Sequence, residues 1–509
     1  MSYIYDHTLY DYQLDAVDLM VDKKQVLLAD QPGLGKTLEV LGSLERLGLF
    51  EDGISLILTP IIAAQTAWKD TIDKFVLPYS DVQLIDLSKG SSTQKTKLLA
   101  DAKFEKPTII LANHGAIEWG KTAKVIGLHS VPFDAIVIDE SHMVLPINND
   151  RALTQFWRGL KYFDTIPIRF AVSGTPDRGK LENRYGTYRF LAPGSYSKIS
   201  RWAWLETNFN VYDKKISRSR TIKAIGSIKS ESLWSREEDR FLVRRTKNEV
   251  LSQLPPKQYR FIELDLHPDQ RKDYLDAIVA MREELDDAMA EERSTAAAMT
   301  FALRGRQIAT CQWSEQDGQI MPVPNGSSSK LDWILQWLAD RGYANPDIES
   351  GQVVIASQFV RVLEWLQKEL AQYGYSSEVI HGGISSERRA VIQRSFQAGH
   401  LKIVLLSGRM GVGITLDAAD DLILLDLPYD PDMLEQIEDR IHRASNMHQV
   451  TIWTLIGVGT IDQVVAQTIA RRYHVTRQSL DGRRGVDFER KILSKIRIKM
   501  SDPSDNVEA

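Results

Sequence analysis

Asp30-Gln31-Pro32-Gly33-Leu34-Gly35-Lys36-Thr37 decides how the chain is read. An apolar run, 25–29, leads into it, and a helix-compatible segment, 38–47, leads out. Strand, glycine loop, Lys-Thr and helix in this order make a cradle for phosphate groups. Gly33, Leu34 and Gly35 bring backbone N–H groups close to phosphate oxygens, and the helix N-terminus adds positive potential. In such a cradle Lys36 reaches the β- and γ-phosphates, and the Thr37 hydroxyl turns to Mg²⁺. The spacing departs from G-x-x-x-x-G-K-[ST] at its first position, where Asp30 stands. Taken alone, the stretch also fits a helix-start loop that binds nothing.

The chain has 509 residues, more than one ordinary core can hold, so two or three domains are expected. A hydrophobic share of 43% with 26% charged residues is that of a globular chain. A net charge of −5 excludes a uniformly basic coat for nucleic acid, so any such contact must use local patches. The single cysteine, Cys311, excludes a disulfide frame and a cysteine zinc site, and it fits a reducing, cytoplasm-like compartment. The first residues carry no signal pattern, and no apolar stretch is long enough to span a bilayer.

Around the glycine loop lie short apolar runs, 56–58, 108–111, 135–138 and 170–172, most of them separated by helix-length polar segments. Buried parallel strands alternating with helices read this way. Each run ends in residues able to do chemistry: Thr59, Asn113, Asp139-Glu140 and Ser173-Gly174-Thr175. Open α/β sheets bind ligands at the carboxyl ends of their strands. Asp139 suits a Mg²⁺ shell, largely through water, and Glu140 suits the polarising of an attacking water. A strand-end acid pair facing solvent is the plainer alternative. Upstream, Gln13 offers a donor and an acceptor that match an adenine edge, or it is a solvated helix-start glutamine.

Gly-Leu-Gly-Lys-Thr, Asp139-Glu140-Ser141-His142 and Ser173-Gly174-Thr175-Pro176, in this order, resemble the first motor domain of superfamily-two helicases and translocases. The loop is closest to the Swi/Snf-like branch, whose usual form is D-E-M-G-L-G-K-T; Gln31 and Pro32 depart from it. Thr59-Pro60 with Trp68, and Asn113, resemble further motifs of that branch. Phe241-Leu242-Val243-Arg244-Arg245 with Leu254-Pro255-Pro256-Lys257 resembles the segment that bridges its two motor domains. The resemblance implies that Ser173 and Thr175 couple the nucleotide site to nucleic acid. Between them, 195–260 interleaves aromatic and basic residues, among them Tyr196, Trp202, Trp204, Lys214, Lys215, Arg218 and Arg220. Such a stretch binds nucleic acid or packs its tryptophans on the motor; packing is the favoured reading.

A second strand-and-helix rhythm, 353–355, 378–380, 403–406, 422–425 and 451–453, has no glycine loop of its own. Ser357, Gly413 and Thr415 lie in segments that resemble family motifs. Gln436, Arg440 and Arg443 fall at i, i+4 and i+7, one face of an expected helix. Arginines in such a comb neutralise charge on a transferring γ-phosphoryl group. The stretch 322–329, rich in glycine and serine, reads as a flexible connector. Basic residues 471–499 follow, and 501–509 read as disordered.

The expected fold is α/β: two tandem RecA-like parallel-sheet domains with helical insertions and a helical bridge. The boundaries drawn are 1–195 for the first domain, 196–329 for the insertion and bridge, 330–470 for the second domain and 471–509 for a basic helical tail. The resemblance implies an ATPase with ATP and Mg²⁺, closing two domains around the nucleotide and stepping on duplex or branched DNA. Lys36, Asp139, Glu140, Arg440 and Arg443 would be catalytic. Gln13, Gly33, Leu34, Gly35, Thr37, Gly413 and Gln436 would bind ATP, and Thr37 and Asp139 would hold the metal. Thr59, Asn113, Ser173, Thr175, Ser357 and Thr415 would serve coupling or nucleic acid. A strand-separating or annealing motor on forked DNA or RNA, and a nucleotide-gated scaffold, are the alternatives. The expected setting is a monomer without membrane contact in a microbial or viral host's cytoplasm, or a nucleus if eukaryotic.

Overall fold

A computed structural model describes residues 3–102, 104–118, 127–148, 153–177, 180–215, 221–251, 255, 257–290, 303–316, 319–343, 351–408, 414–443 and 448–480. The chain divides into two compact units, Met1–Val250 and Leu251–Ala509.

The first unit is built on strands β1 (Gln25–Leu28), β2 (Ile54–Thr59), β3 (Gln83–Asp86), β4 (Thr108–Asn113), β5 (Ala135–Ile138) and β6 (Ile168–Val172). With a short seventh strand, Leu242–Val243, they form one parallel sheet in the order β3-β4-β2-β5-β6-β1 and then 242–243. β2 and β5 are buried along their whole length, as continuous apolar runs of parallel sheets are. The order brings the carboxyl ends of β1, β6 and β5 side by side, so the loops after them share one rim.

The insertion before Leu242–Val243 is not all helix. Helices Arg201–Asn208 and Glu231–Phe241 flank an antiparallel hairpin, β7 (Phe209–Lys215) and β8 (Thr221–Ile228), so the short seventh strand is β9. The aromatic residues divide. Trp204, Phe209, Trp234 and Phe241 are buried in the core of the unit, with Trp204 and Phe209 ring centroids 5.7 Å apart. Trp202 stays 42% exposed, with the Lys223 ammonium 5.6 Å from its ring centre. Packing therefore wins for Trp204 and Tyr196 and not for Trp202. Arg218 and Arg220 lie outside the described residues.

The second unit carries β10 (Gln258–Leu264), a hairpin of β11 (Trp313–Gln316) and β12 (Gln319–Pro322), then β13 (Val353–Ser357), β14 (Ser377–Ile380), β15 (Ile403–Ser407), β16 (Asp421–Leu424) and β17 (Thr451–Gly457). Its parallel sheet runs β10-β17-β16-β13-β15-β14. Thus 258–264, assigned from the sequence to the bridge, supplies an edge strand of the second sheet, paired with β17 along its length. An edge strand is covered on one side of its ladder, and β10 is half-buried rather than apolar throughout. The helix Pro268–Ala290 and helical residues 303–310 come after β10.

The supposed flexible connector is pinned. Ser328, 2% exposed, donates its hydroxyl to the Thr310 carbonyl and caps the helix Ser329–Asp340 by accepting from Leu331 N. Ser329 Oγ donates to the Asp265 carbonyl. Of the serines read as linker residues, Ser328 is a cap and Ser329 a tie. No helix among the described residues is long and apolar enough to cross a membrane.

Candidate functional site

The glycine loop follows β1. Gly33 and Gly35 both take positive φ, 88° and 87°, which L side chains rarely adopt. At Gly35 a Cβ would stand 2.3 Å from Gln13 Nε2, so a side chain there would strain the backbone and displace the Gln13 amide. Gln13 is only 2% exposed: its Nε2 donates to the Leu34 carbonyl at 2.9 Å and its Oε1 accepts from Tyr10 N at 3.0 Å. It braces the loop against the helix Asp11–Lys23 rather than standing in solvent. Tyr12 OH donates to the same Leu34 carbonyl.

Lys36 begins the helix Lys36–Arg46, as does Thr37 after it. The Lys36 ammonium donates to the carbonyls of Asp30 and Gln31 at 2.7 and 3.2 Å. The cation is thus seated over its own loop, where a phosphate would displace weaker partners. Asp30, in the place of a glycine, is fully buried and binds Arg245 through its side chain and through Arg245 N. Arg245 also meets Glu39 at 2.7 Å. Burial, then repulsion from Asp30, pushes the Glu39 carboxyl up to about 8.

The stretch 242–247 lies along the loop bond by bond. Ala29 N donates to the Val243 carbonyl, Gln31 N to the Arg245 carbonyl, and Lys247 N to Gln31 Oε1 at 2.7 Å. Arg244 reaches the carbonyls of Ala29 and Gly174 at 2.6 and 3.2 Å. Arg244 and Arg245, which the sequence places in the bridge, stand against the loop. A buried acid at Asp30 was the available signal, since it needs a cation.

Asp139 and Glu140 follow β5. Asp139 Oδ2 accepts from Thr59 Oγ1 at 2.9 Å and from Trp68 Nε1 at 2.8 Å, while Oδ1 accepts Glu140 N. Thr59 is fully buried, with its hydroxyl on this acid. Two donors occupy Oδ2, and Oδ1 keeps acceptor capacity, which fits a water-mediated Mg²⁺ contact. Glu140 takes φ 45°, in the left-handed region, which turns the chain sharply after the strand. Its carboxylate lies 3.3 Å from His142 Nδ1, and that nitrogen lies 2.7 Å from Ser173 Oγ. Ser173 Oγ accepts Thr175 N. A continuous polar path therefore runs from Glu140 through buried His142 to Ser173 and Thr175. His142 was not singled out as a site residue. His114 Nε2 donates to the Asp139 carbonyl at 2.8 Å, and burial lowers the proton affinity of its ring. Asn113 ends β4, half-buried.

In the second unit the arginine comb is not one helical face. The helix Pro431–Glu438 ends before Arg440 and Arg443, which lie in the turn that follows. The Arg440 carbonyl accepts Leu416 N at 2.9 Å, and this tertiary bond accompanies the end of the helix. Arg440 Nη1 and Arg443 Nη2 converge on the Ile414 carbonyl, at 3.4 and 3.2 Å. The turn thus brings the two guanidinium groups to one acceptor, beside Thr415. Gln436 is on the helix, half-buried. Ser357 is fully buried and donates to Asp426 Oδ2 at 2.5 Å; Arg306 binds the other oxygen at 2.8 Å. Gly413 lies outside the described residues.

A family model described as SNF2-related domain matches residues 12–312, and one described as helicase conserved C-terminal domain matches 330–445. Among curated proteins, the chain is 26% identical over 486 residues to a chromodomain-helicase-DNA-binding protein 1-like of Danio rerio, covering 92% of this chain and 43% of that one. It is 22% identical over 480 residues to the DNA annealing helicase and endonuclease ZRANB3 of Homo sapiens, covering 94% and 41%. The chain spans half or less of the length of these relatives. A solved Sulfolobus solfataricus SWI2/SNF2 ATPase core in complex with dsDNA aligns at 20% identity with a TM-score of 0.39, covering 97% of this chain and 96% of that one. With the first model spanning more than half of its residues, the chain belongs to the SNF2-related family and carries the helicase conserved C-terminal domain after it.

Proposed function

We propose that the chain is an ATP-hydrolysing motor that moves on duplex or branched DNA. The observation that carries this is the shared rim of β1, β6 and β5, where the glycine loop, Ser173-Thr175 and Asp139-Glu140 stand together. Lys36 and the N–H groups of 33–36 take the phosphates of ATP as substrate. Asp139 and Thr37 would hold Mg²⁺, which when bound neutralises charge on the β- and γ-oxygens. Glu140 orients the attacking water and accepts its proton. The path through His142 to Ser173 and Thr175 gives the hydrolytic acid a physical link to the loop after β6. Arg440 and Arg443 neutralise charge that develops on the γ-phosphoryl group.

The DNA reading is supported by the family and by two relatives, one named a helicase-DNA-binding protein and the other a DNA annealing helicase. Contacts of such a motor fall on phosphates, so binding is salt-sensitive and largely independent of sequence. Annealing activity is the second reading, favoured by the named activity of ZRANB3. A reducing, cytoplasm-like compartment fits the single cysteine, Cys311, which is buried. ATPase rates with duplex, single-stranded and forked DNA and with RNA test the proposal, and an annealing assay on forked DNA separates the two readings.

A further inference from the structure

The helix Pro431–Glu438 ends on two acids, Glu438 and Asp439, both nearly fully buried. A helix C-terminus already carries partial negative charge, so two carboxylates there need a cation. Lys257 is that cation. Its Nζ donates to Glu438 Oε2 at 2.9 Å and to Asp439 Oδ1 at 3.1 Å. Tyr259 OH donates to the same Glu438 oxygen at 2.9 Å. His442 Nε2 donates to the Pro255 carbonyl at 2.8 Å. Lys257 immediately precedes β10, which is bonded to β17 along its length, so it stands on a fixed base.

Arg440 and Arg443 follow these acids directly. Beyond the Ile414 carbonyl they share, Arg443 Nε donates to the Asp439 carbonyl at 3.1 Å, so the guanidinium inherits any movement of that residue.

We propose that Lys257, assisted by Tyr259, is a positioning residue for Arg440 and Arg443, acting through Glu438 and Asp439. This rests on the reading of the chain as an ATP-hydrolysing motor. Without the lysine, two buried carboxylates repel each other and the helix end. The turn then relaxes toward water and takes the guanidinium groups with it. Lys257 itself meets neither nucleotide nor DNA in this account.

Lys257→Met in the full chain tests this by steady-state ATPase kinetics at saturating duplex DNA. Rates are normalised to the nucleotide-binding stoichiometry of each preparation. A displacement of about an ångström predicts a kcat loss on the order of 100-fold, with KM for ATP within about threefold of the parent. Lys257→Arg should recover most of the rate, because it restores a cation between the acids. A merely structural lysine would lower the melting temperature and the active fraction while leaving kcat per binding site unchanged. That result overturns the proposal. Should Lys257→Met not fold, Tyr259→Phe decides in its place. It removes one hydrogen bond and no charge, and should lower kcat about threefold to tenfold at unchanged KM; an unchanged kcat overturns the proposal. A parent protein without ATPase activity overturns the motor reading and this proposal with it. A parent that hydrolyses ATP, beside a variant of equal kcat, overturns this proposal alone.

Discussion

The glycine loop and the arginine turn are held in different ways. The loop is tied to 242–247 by successive backbone bonds at residues 29 and 31, and its acid, Asp30, is buried against Arg245. The two arginines of the turn share one carbonyl, that of Ile414, at 3.2 and 3.4 Å, and their backbone rests on Lys257 through two acids. An element that must receive a ligand gains from being built in advance, because no ordering cost falls on binding. An element that meets charge only as the reaction proceeds need only be poised. Loss of loop contacts should therefore appear in affinity or stability, and loss of turn contacts in rate.

The largest effect is expected from the turn. Arg443→Ala should lower kcat on the order of 1,000-fold while nucleotide affinity stays within a few-fold. Stopped-flow binding of a fluorescent nucleotide, beside steady-state rates, separates the two. An affinity loss equal to the rate loss would break the contrast between the two regions. Next, Lys36→Ala should weaken nucleotide binding on the order of 100-fold or more, since it removes the cation seated over the cradle. Isothermal titration measures this, and intact affinity would take Lys36 out of the phosphate site.

Arg245→Met leaves Asp30 buried without its cation. It should cost about 3 kcal/mol of stability by denaturant unfolding, with the loss in the first unit. A smaller change is expected at the acid pair. Trp68→Phe removes one donor from Asp139 Oδ2 and should lower kcat about tenfold, with the fold retained.

A pH dependence of stability is expected as well. Folded Glu39 titrates at about 8 against an ordinary carboxyl value of 4.5. Between these values the folded chain keeps a proton that the unfolded chain has lost. Stability contributed at low pH is then given up as pH rises through the window, and the loss levels off above about pH 8. Thermal unfolding measured at about pH 6 and about pH 9 should show this slope, and Glu39→Gln should flatten it. An unchanged slope would mean that the Arg245 ion pair keeps Glu39 charged throughout.

Much of the first sheet was legible because β1, β2, β4, β5 and β6 are buried and largely apolar, and because each leads into the residues of a recognisable motif; β3, mixed and half-buried, gave no such run. Lys36, Asp139 and Ser173 fell where strand ends predict them. What was not legible depends on long-range pairing. β10 reads as a mixed run because an edge strand is half-buried, and only its ladder to β17 identifies it. Ser328 and Ser329 look like linker residues in sequence and act as a cap and a tie, because Thr310 and Asp265 offer them carbonyls. The helix expected through Arg443 stops at Glu438, where contacts to Leu416 and Pro255, remote in sequence, take over. The roles of Arg244 and Arg245 were hidden for the same reason: their partners lie some two hundred positions away.

The motor reading is tested by the steady-state ATPase rate of the full chain with duplex DNA, single-stranded DNA, RNA or no nucleic acid. It predicts a low rate alone, strong stimulation by duplex or branched DNA that weakens as salt is raised, and abolition of the stimulated rate by Glu140→Gln. Equal low rates with every nucleic acid, or a stimulated rate that survives Glu140→Gln, would contradict it.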